Sequence, residues 1–403
     1  MREYFRHRAR DTRSPHIRVF LTRPPGQQTM DYAQERVTTL HALQDHTPAA
    51  PTDQAAVVVP MAEREYGALA TEQILSELET VDPARVVVPL RASGDRVEPF
   101  CEWLDGYDLT LEVVWCDGAR LADLLAANGL DGRRGKGRDV WLAMGRALQE
   151  KYVVLHDADT ASYSRQYVPR LLFPLANGNS FSKGYYARVE DDKLYGRLFR
   201  LFYTPFVRAL ETVYDAPVVE YLAAFRYALA GEFAATSELA ANIRFQRRWG
   251  LEVGTLGEAY RNVGATGSAQ VALGQYEHDH RSVSGPTGLS EMSESVGSAL
   301  LRVLIDHGIE PRPDALRERY RDAAEPLVDS YRLDARYNGL DTDAENERQQ
   351  VSTYANAIGN PGPDDRLPAW ADAPISPADV AEAVQTDLQT LEEHSPSTRH
   401  RSR

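Results

Sequence analysis

From residue 53 onward the chain alternates short apolar runs with longer stretches in which apolar residues recur every three or four positions. Residues 55–60, 85–90, 109–116 and 152–156 are strand-sized apolar runs, and residues 69–79, 118–127 and 139–151 carry the helical period. Strands that alternate with helices predict a mostly parallel, doubly wound sheet flanked by helices, an α/β, Rossmann-like body. The second half is less regular. Amphipathic stretches cover 195–214, 221–229 and 297–307, a charged helical segment covers 316–333, and 338–372 is polar and rich in Pro, Gly and Asp. Ser376-Pro377-Ala378-Asp379 then offers an N-cap and a first-turn proline for a last helix, and 394–403 reads as a frayed tail. The expected organisation is a disordered or mis-started extension over 1–29, a lead-in over 30–52, a catalytic domain over 53–305, and a helical C-terminal appendage over 306–403.

Composition narrows the function classes. The formal net charge is −14, with 59 acidic against 45 basic residues, and lysine occurs only at Lys136, Lys151, Lys183 and Lys193. A nucleic-acid binder needs a basic surface that releases counterions, so that class is excluded. A lysine-poor, acid-rich surface is similar to that of proteins from salt-accumulating halophiles, where screening tolerates a large charge. No apolar run has the length of a membrane span. The two cysteines, Cys101 and Cys116, suit a reducing cytoplasm better than a disulfide framework. Residues 1–29 hold seven arginines against Glu3 and Asp11, lack an apolar signal core, and leave Met30 as a natural start.

The sharpest chemical feature is the run 152–156 leading directly into Asp157-Ala158-Asp159. Ligands of open α/β sheets collect at the carboxyl ends of strands, and two acids two residues apart at such an end can share one oxygen-loving cation. Mg²⁺ or Mn²⁺ held there would offset charge on a departing nucleoside diphosphate. One helix upstream, Gly135-Lys136-Gly137 lies in a loop where two glycines allow close approach and the lysine adds a point charge. The same residues could be an ordinary solvated loop, and the P-loop spacing is absent. Ala230-Gly231-Glu232-Phe233 and Trp249-Gly250-Leu251-Glu252-Val253-Gly254 each set a glycine beside an acid, a pattern shared with helix starts. His278-Asp279-His280-Arg281 could bring a further metal ligand or be a solvated loop.

Taken in order, Gly135-Lys136-Gly137, Asp157-Ala158-Asp159, Lys183-Gly184-Tyr185-Tyr186-Ala187-Arg188, Gly196-Arg197, Gly231-Glu232-Phe233, Gly250-Leu251-Glu252-Val253-Gly254 and Gln270-Val271-Ala272-Leu273-Gly274 with the histidines that follow resemble the glucosyl-3-phosphoglycerate synthases. These are retaining GT-A glycosyltransferases related to the mannosyl-3-phosphoglycerate synthases and to family 2 enzymes, and the resemblance spans roughly residues 55–305. It implies a GT-A fold, Mg²⁺ or Mn²⁺ on Asp157 and Asp159 with His278, or alternatively His280, as third ligand, and Glu252 and Asp159 as the catalytic residues. It further implies that Pro60, Glu63, Ser93, Lys136, Asp157 and Trp249 contact the nucleotide sugar, and that Lys183, Gly196 and Arg197 form the acceptor side. Two departures stand out. Val88-Pro89-Leu90-Arg91-Ala92-Ser93 replaces an acid-rich D-x-D-S, leaving only Ser93 to carry over, and Leu198-Phe199 stands where an acceptor-binding threonine is expected.

The implied reaction moves glucose from UDP- or GDP-glucose to 3-phosphoglycerate or a similar small anion, with retention, in a cytoplasmic enzyme that could be a homodimer paired through 306–403. In a salt-adapted cell the product would feed a glucosylglycerate-type solute. The alternatives are a family 2 transferase acting on a glycan or lipid-linked acceptor, and a non-catalytic nucleotide-sugar-binding protein.

Overall fold

The computed structural model describes residues 33–190, 192–276 and 286–394. Its strands are β1 (Thr38–Leu40), β2 (Ala55–Val58), β3 (Met61–Ala62), β4 (Arg85–Arg91), β5 (Leu111–Trp115), β6 (Tyr152–Leu155), β7 (Phe181–Glu190), β8 (Lys193–Leu194), β9 (Phe233–Thr236) and β10 (Ser268–Tyr276). They are ordered β1-β10-β7-β9-β6-β2-β4, with β3 and β5 both paired to β4, and β8 to β7. Strands β2 and β6 are buried along their whole length, which is why they read as unbroken apolar runs rather than as an alternation. Pro89 has no N–H to give, and it falls on β4 between the residues paired with β2 and those paired with β3.

Pairing is parallel through β5, β4, β2 and β6 and again through β7, β10 and β1, but β9 runs antiparallel to both β6 and β7. That reversal builds the site. Leu155 pairs with Phe233, so the residues after β6 lie beside those before β9, and the carboxyl end of one strand meets the amino end of the other.

The helices are α1 (Leu69–Val81), α2 (Gly94–Leu104), α3 (Ala119–Ala127), α4 (Lys136–Ala147), α5 (Tyr167–Ala176), α6 (Thr204–Val213), α7 (Pro217–Ala223), α8 (Ser237–Ala241), α9 (Leu251–Val263), α10 (Pro286–Asp306), α11 (Pro313–Tyr337), α12 (Ala344–Ala355) and α13 (Pro377–His394). Helix α10 starts well before the expected 297, α2, α5, α8 and α9 are not among the expected stretches, and three more differ in detail. Helix α4 starts at Lys136, so Gly135 is its N-cap and Lys136 opens its first turn instead of standing in a loop. Pro217 at the first turn starts α7 early, and the helix ends at Ala223 instead of reaching 229. The polar segment 338–372 contains α12, whose N-cap Asp343 accepts from the Asn346 N–H.

One apolar core runs from Val37 in the lead-in to Val384 in α13. The C-terminal segment is tied to it by more than packing. Trp370 stacks on Trp141 at 4.2 Å, and Asp387 of α13 accepts from the backbone N–H groups of Arg120 and Leu121 at the start of α3. No helix among the described residues is long and apolar enough to cross a membrane.

Candidate active site

Asp157 and Asp159 follow β6 in a turn braced by Thr71 of α1, whose hydroxyl donates to the Ala158 carbonyl at 3.0 Å. Both aspartates are half-buried. Gly231 is pressed against Asp157: a Cβ at that position would stand 2.3 Å from Asp157 Oδ2, so only glycine lets the loop before β9 approach this closely. On the other side the Lys136 ammonium pairs with Asp157 and also donates to Glu252 Oε1 at 3.3 Å. Glu252 comes from the first turn of α9, more than a hundred residues away in sequence.

Glycines set that distance too. A Cβ on Gly137 would lie 1.8 Å from the Gln246 carbonyl oxygen, and one on Gly135 would lie 2.6 Å from that of Arg247. The loop entering α9 therefore rests directly on the first turn of α4, where the Arg138 N–H donates to the Arg247 carbonyl at 3.2 Å. Burial disfavours a charge on Lys136, yet Asp157, Glu252 and Asp159 outweigh it and hold the ammonium well above its ordinary pKa.

Three further ionisable groups lie close by, on the sheet strands or next to their ends. Lys183 on β7 is 1% exposed, donates to the Ala230 carbonyl, and sits 5.9 Å from the centre of the Phe233 ring. Burial, only partly offset by Glu252 and Glu232, lowers its pKa to about 8. Glu232 is fully buried, and burial together with the Asp157 charge raises its pKa. His156, the residue before Asp157, is buried against Tyr163, and burial lowers its pKa to about 3. Sequence reasoning singled out neither His156 nor the burial of Glu232. The antiparallel β6–β9 register that places them together has no local sequence signature.

Beyond the ends of β3 and β4 lies an open cleft of about 460 Å³ lined by Glu63, Arg64, Arg91, Ser93, Asp117 and Arg134, together with Ala62 and Ala92. Within it the Ser93 N–H donates to Glu63 Oε1 at 2.6 Å, and this bond holds the Glu63 carboxyl below its ordinary pKa. Pro60 follows β2 and is half-buried. Arg91, between Leu90 and Ala92 where the expected acids would stand, is held by the buried Asp139 of α4 through Nε at 3.0 Å, and Arg134 pairs with Asp117 at 2.8 Å. These arginines were not singled out from the sequence.

Of the expected acceptor residues, Lys183 lies in the sheet near Glu232 and Asp157, and Gly196 and Arg197 follow β8. Gly196 has φ +75, and a Cβ there would meet the Tyr227 hydroxyl at 2.9 Å. Arg197 follows it, half-buried, with its charge felt at the Tyr354 hydroxyl. Trp249 is 39% exposed in the loop before Glu252. His278 and His280 lie outside the described residues.

Among the described residues no three His, Cys, Asp or Glu groups converge as a ready-made metal cage. The donor set present nonetheless fits a hard divalent cation. Asp157 and Asp159 offer carboxylate oxygens, Asp157 already holds one cation in the Lys136 ammonium, and diphosphate oxygens and water can complete the shell.

No protein-family model matches the chain. It is 34% identical over 395 residues to the glucosyl-3-phosphoglycerate synthase of Methanococcoides burtonii, which covers 88% of this chain and 96% of the relative. It is 34% identical over 321 residues to the synthase of Persephonella marina, covering 75% and 79% respectively. In fold it is similar to glucosyl-3-phosphoglycerate synthase from Mycobacterium tuberculosis in complex with Mn²⁺, uridine diphosphate and phosphoglyceric acid, with TM-score 0.50 and 24% identity over 69% of this chain and 88% of that one. Mannosyl-3-phosphoglycerate synthase from Rubrobacter xylanophilus gives TM-score 0.51 and 22% identity over 67% and 82%. The mixed sheet, mostly parallel and flanked by helices, is thus the GT-A fold that the motifs implied. Since the Methanococcoides relative is 34% identical and the match covers 88% of this chain, the chain belongs to the glucosyl-3-phosphoglycerate synthase family.

Proposed function

We propose that this protein is a metal-dependent retaining glycosyltransferase that moves glucose from a nucleotide donor to 3-phosphoglycerate. The observation that carries the reading is the convergence of Asp157, Lys136 and Glu252 at the carboxyl end of β6, in a chain belonging to this family. A bound Mg²⁺ or Mn²⁺ would neutralise charge on the departing diphosphate. Asp157 and Asp159 would hold it, with His278 or His280 as the further ligand. Glu252 accepts a hydroxyl of the donor sugar and fixes its orientation, beside Trp249. Glu63, Ser93 and Pro60 receive the nucleoside at the open cleft. Arg197, beyond the left-handed Gly196, meets the acceptor's carboxylate or phosphate, with Lys183 supporting that side from within the sheet. The reading extends to a cytoplasmic, salt-adapted homodimer, supported by the acid-rich, lysine-poor composition for the salt adaptation and by the appended helices for the pairing.

The test is a donor and acceptor screen: UDP-glucose, GDP-glucose and GDP-mannose against 3-phosphoglycerate and glycerate, with Mg²⁺, Mn²⁺ or chelator, in high salt. Turnover with 3-phosphoglycerate that chelator removes is the expected result, and Asp159→Ala should abolish it without altering the circular dichroism spectrum. Activity on a glycan or lipid-linked acceptor with none on phosphoglycerate would favour a family 2 role instead.

A further inference from the structure

Lysine occurs at four positions in this arginine-rich chain, and two of them, Lys136 and Lys183, lie at the site. An ammonium is a compact point charge, whereas a guanidinium is a planar fork that holds carboxylates in fixed bidentate geometry. Lys136 therefore offers something arginine does not: a cation that can leave.

Its surroundings bear this out. The ammonium pairs with Asp157, and side-chain exposures of 27% for Lys136 and 25% for Asp157 leave the pair open to solvent. Glu252 stands 3.3 Å away as a second partner. The anchor of the lysine does not move easily, because Gly135 and Gly137 pin the first turn of α4 on the backbone of Gln246 and Arg247. Nor does Asp157, packed on Gly231. The flexible part is the four-carbon stem, which can swing the ammonium from Asp157 toward Glu252 or an incoming anion.

We propose that Lys136 is an exchangeable counter-ion that masks Asp157 in the ligand-free enzyme and is drawn off it by the donor's diphosphate, so that divalent cation and nucleotide bind as a coupled pair. The inference rests on the reading that Asp157 and Asp159 hold the metal. An ammonium and a divalent cation cannot both take the full charge of one carboxylate, so metal binding to the free protein works against the ion pair. Diphosphate oxygens give the ammonium an alternative partner and release the carboxylate. By linkage, metal then strengthens nucleotide binding by the same factor.

Calorimetric titration of Mn²⁺ into the metal-free, full-length protein, with and without saturating UDP, tests this. Wild type should bind Mn²⁺ weakly alone and at least about tenfold more tightly with UDP. Lys136→Met, with Lys136→Gln as a second variant, should bind Mn²⁺ alone about tenfold more tightly than wild type, and the gain from UDP should shrink correspondingly. Lys136→Arg should bind Mn²⁺ alone no more tightly than wild type and gain less from UDP, because a guanidinium fork is harder to draw off Asp157. Lys183→Met removes a positive charge that donates to Ala230, so it should change Mn²⁺ affinity less than about threefold, which separates a contact mask from a general field. Lys136→Met binding Mn²⁺ no more tightly than wild type, or Lys183→Met tightening it equally, would overturn the mask alone. Unaltered Mn²⁺ binding by Asp159→Asn and Asp157→Asn would overturn the metal reading and the mask with it.

Discussion

Where β6 meets α4, Asp157 holds the Lys136 ammonium, Lys136 reaches Glu252 at 3.3 Å, and glycines at 135, 137 and 231 bring the backbones close enough for those contacts. Where β8 leads into α6, the arrangement is of another kind. Gly196 turns left-handed against Tyr227, Tyr227 packs on Tyr186 at 4.9 Å and Phe199 at 4.7 Å, and the ion pair at 3.0 Å belongs to Arg200 and Glu347, not to Arg197. The proposed donor side is organised by charge across elements distant in sequence. The proposed acceptor side is organised by aromatic packing. On the proposed reading an arriving diphosphate replaces Asp157 as the partner of a lysine already in place, whereas the acceptor's anion itself supplies the partner for Arg197.

The hardest test of that contrast is Gly231→Ala. The new methyl would fall 2.3 Å from Asp157 Oδ2, so either the carboxylate or the loop before β9 must shift. A displacement near 1 Å at a reacting centre costs about 100-fold in turnover, and forcing a methyl into this buried contact should also lower stability by about 1–3 kcal/mol. Steady-state kinetics beside a thermal melt would check it. Turnover within a factor of about three of wild type would show that the donor side tolerates slack and is not pre-set.

A milder effect is expected on the other side. Arg197→Ala should raise the KM for 3-phosphoglycerate about tenfold and leave the donor KM within about twofold, since a group bound equally in ground and transition states acts on KM alone. Initial rates with each substrate varied in turn measure both. If the donor KM rises more, Arg197 belongs with Lys136 and Glu252, and the division between the two halves is wrong.

The same division governs what could be read from the chain. The donor half is built on β2, β4 and β6, whose unbroken apolar runs between helical stretches are legible because parallel strands buried on both faces leave that pattern. Asp157 and Asp159 follow directly from where β6 ends. Strands β7 and β10 carry Gly184 and Gly274 and bury the polar Ser182, Lys183 and Gln270, and β9 has only four residues, so no run of strand-like residues announces them. Glu232 and His156 gain their setting from an antiparallel register that no local signal encodes. Arg91 carried no signal of its own in a segment legible only for the acids it lacks at Leu90 and Ala92. Its tie to Asp139 joins β4 to α4, a contact between residues 48 apart in sequence.

The smallest predicted effect concerns stability beneath the donor half. His156 is fully buried, with neither ring nitrogen hydrogen-bonded among the described residues, and its ring lies 5.0 Å from that of Tyr163 and 6.2 Å from that of Tyr167. Burial in this apolar setting lowers its pKa from 6.5 to about 3. The folded form therefore refuses a proton that the unfolded chain accepts at any pH between those values. Stability is unaffected by this group above about pH 6.5 and falls as the solution is acidified below it, by about 1.4 kcal/mol per pH unit for one proton, levelling off near pH 3. Other carboxylates titrate over part of that range, so the informative quantity is a difference. Urea midpoints of wild type and His156→Phe compared between pH 6.5 and 5 should diverge in slope by one proton, with the phenylalanine variant the flatter. Parallel slopes would mean that His156 takes up its proton in the folded state, and that the floor beneath Asp157 is wetter and less rigid than its packing indicates.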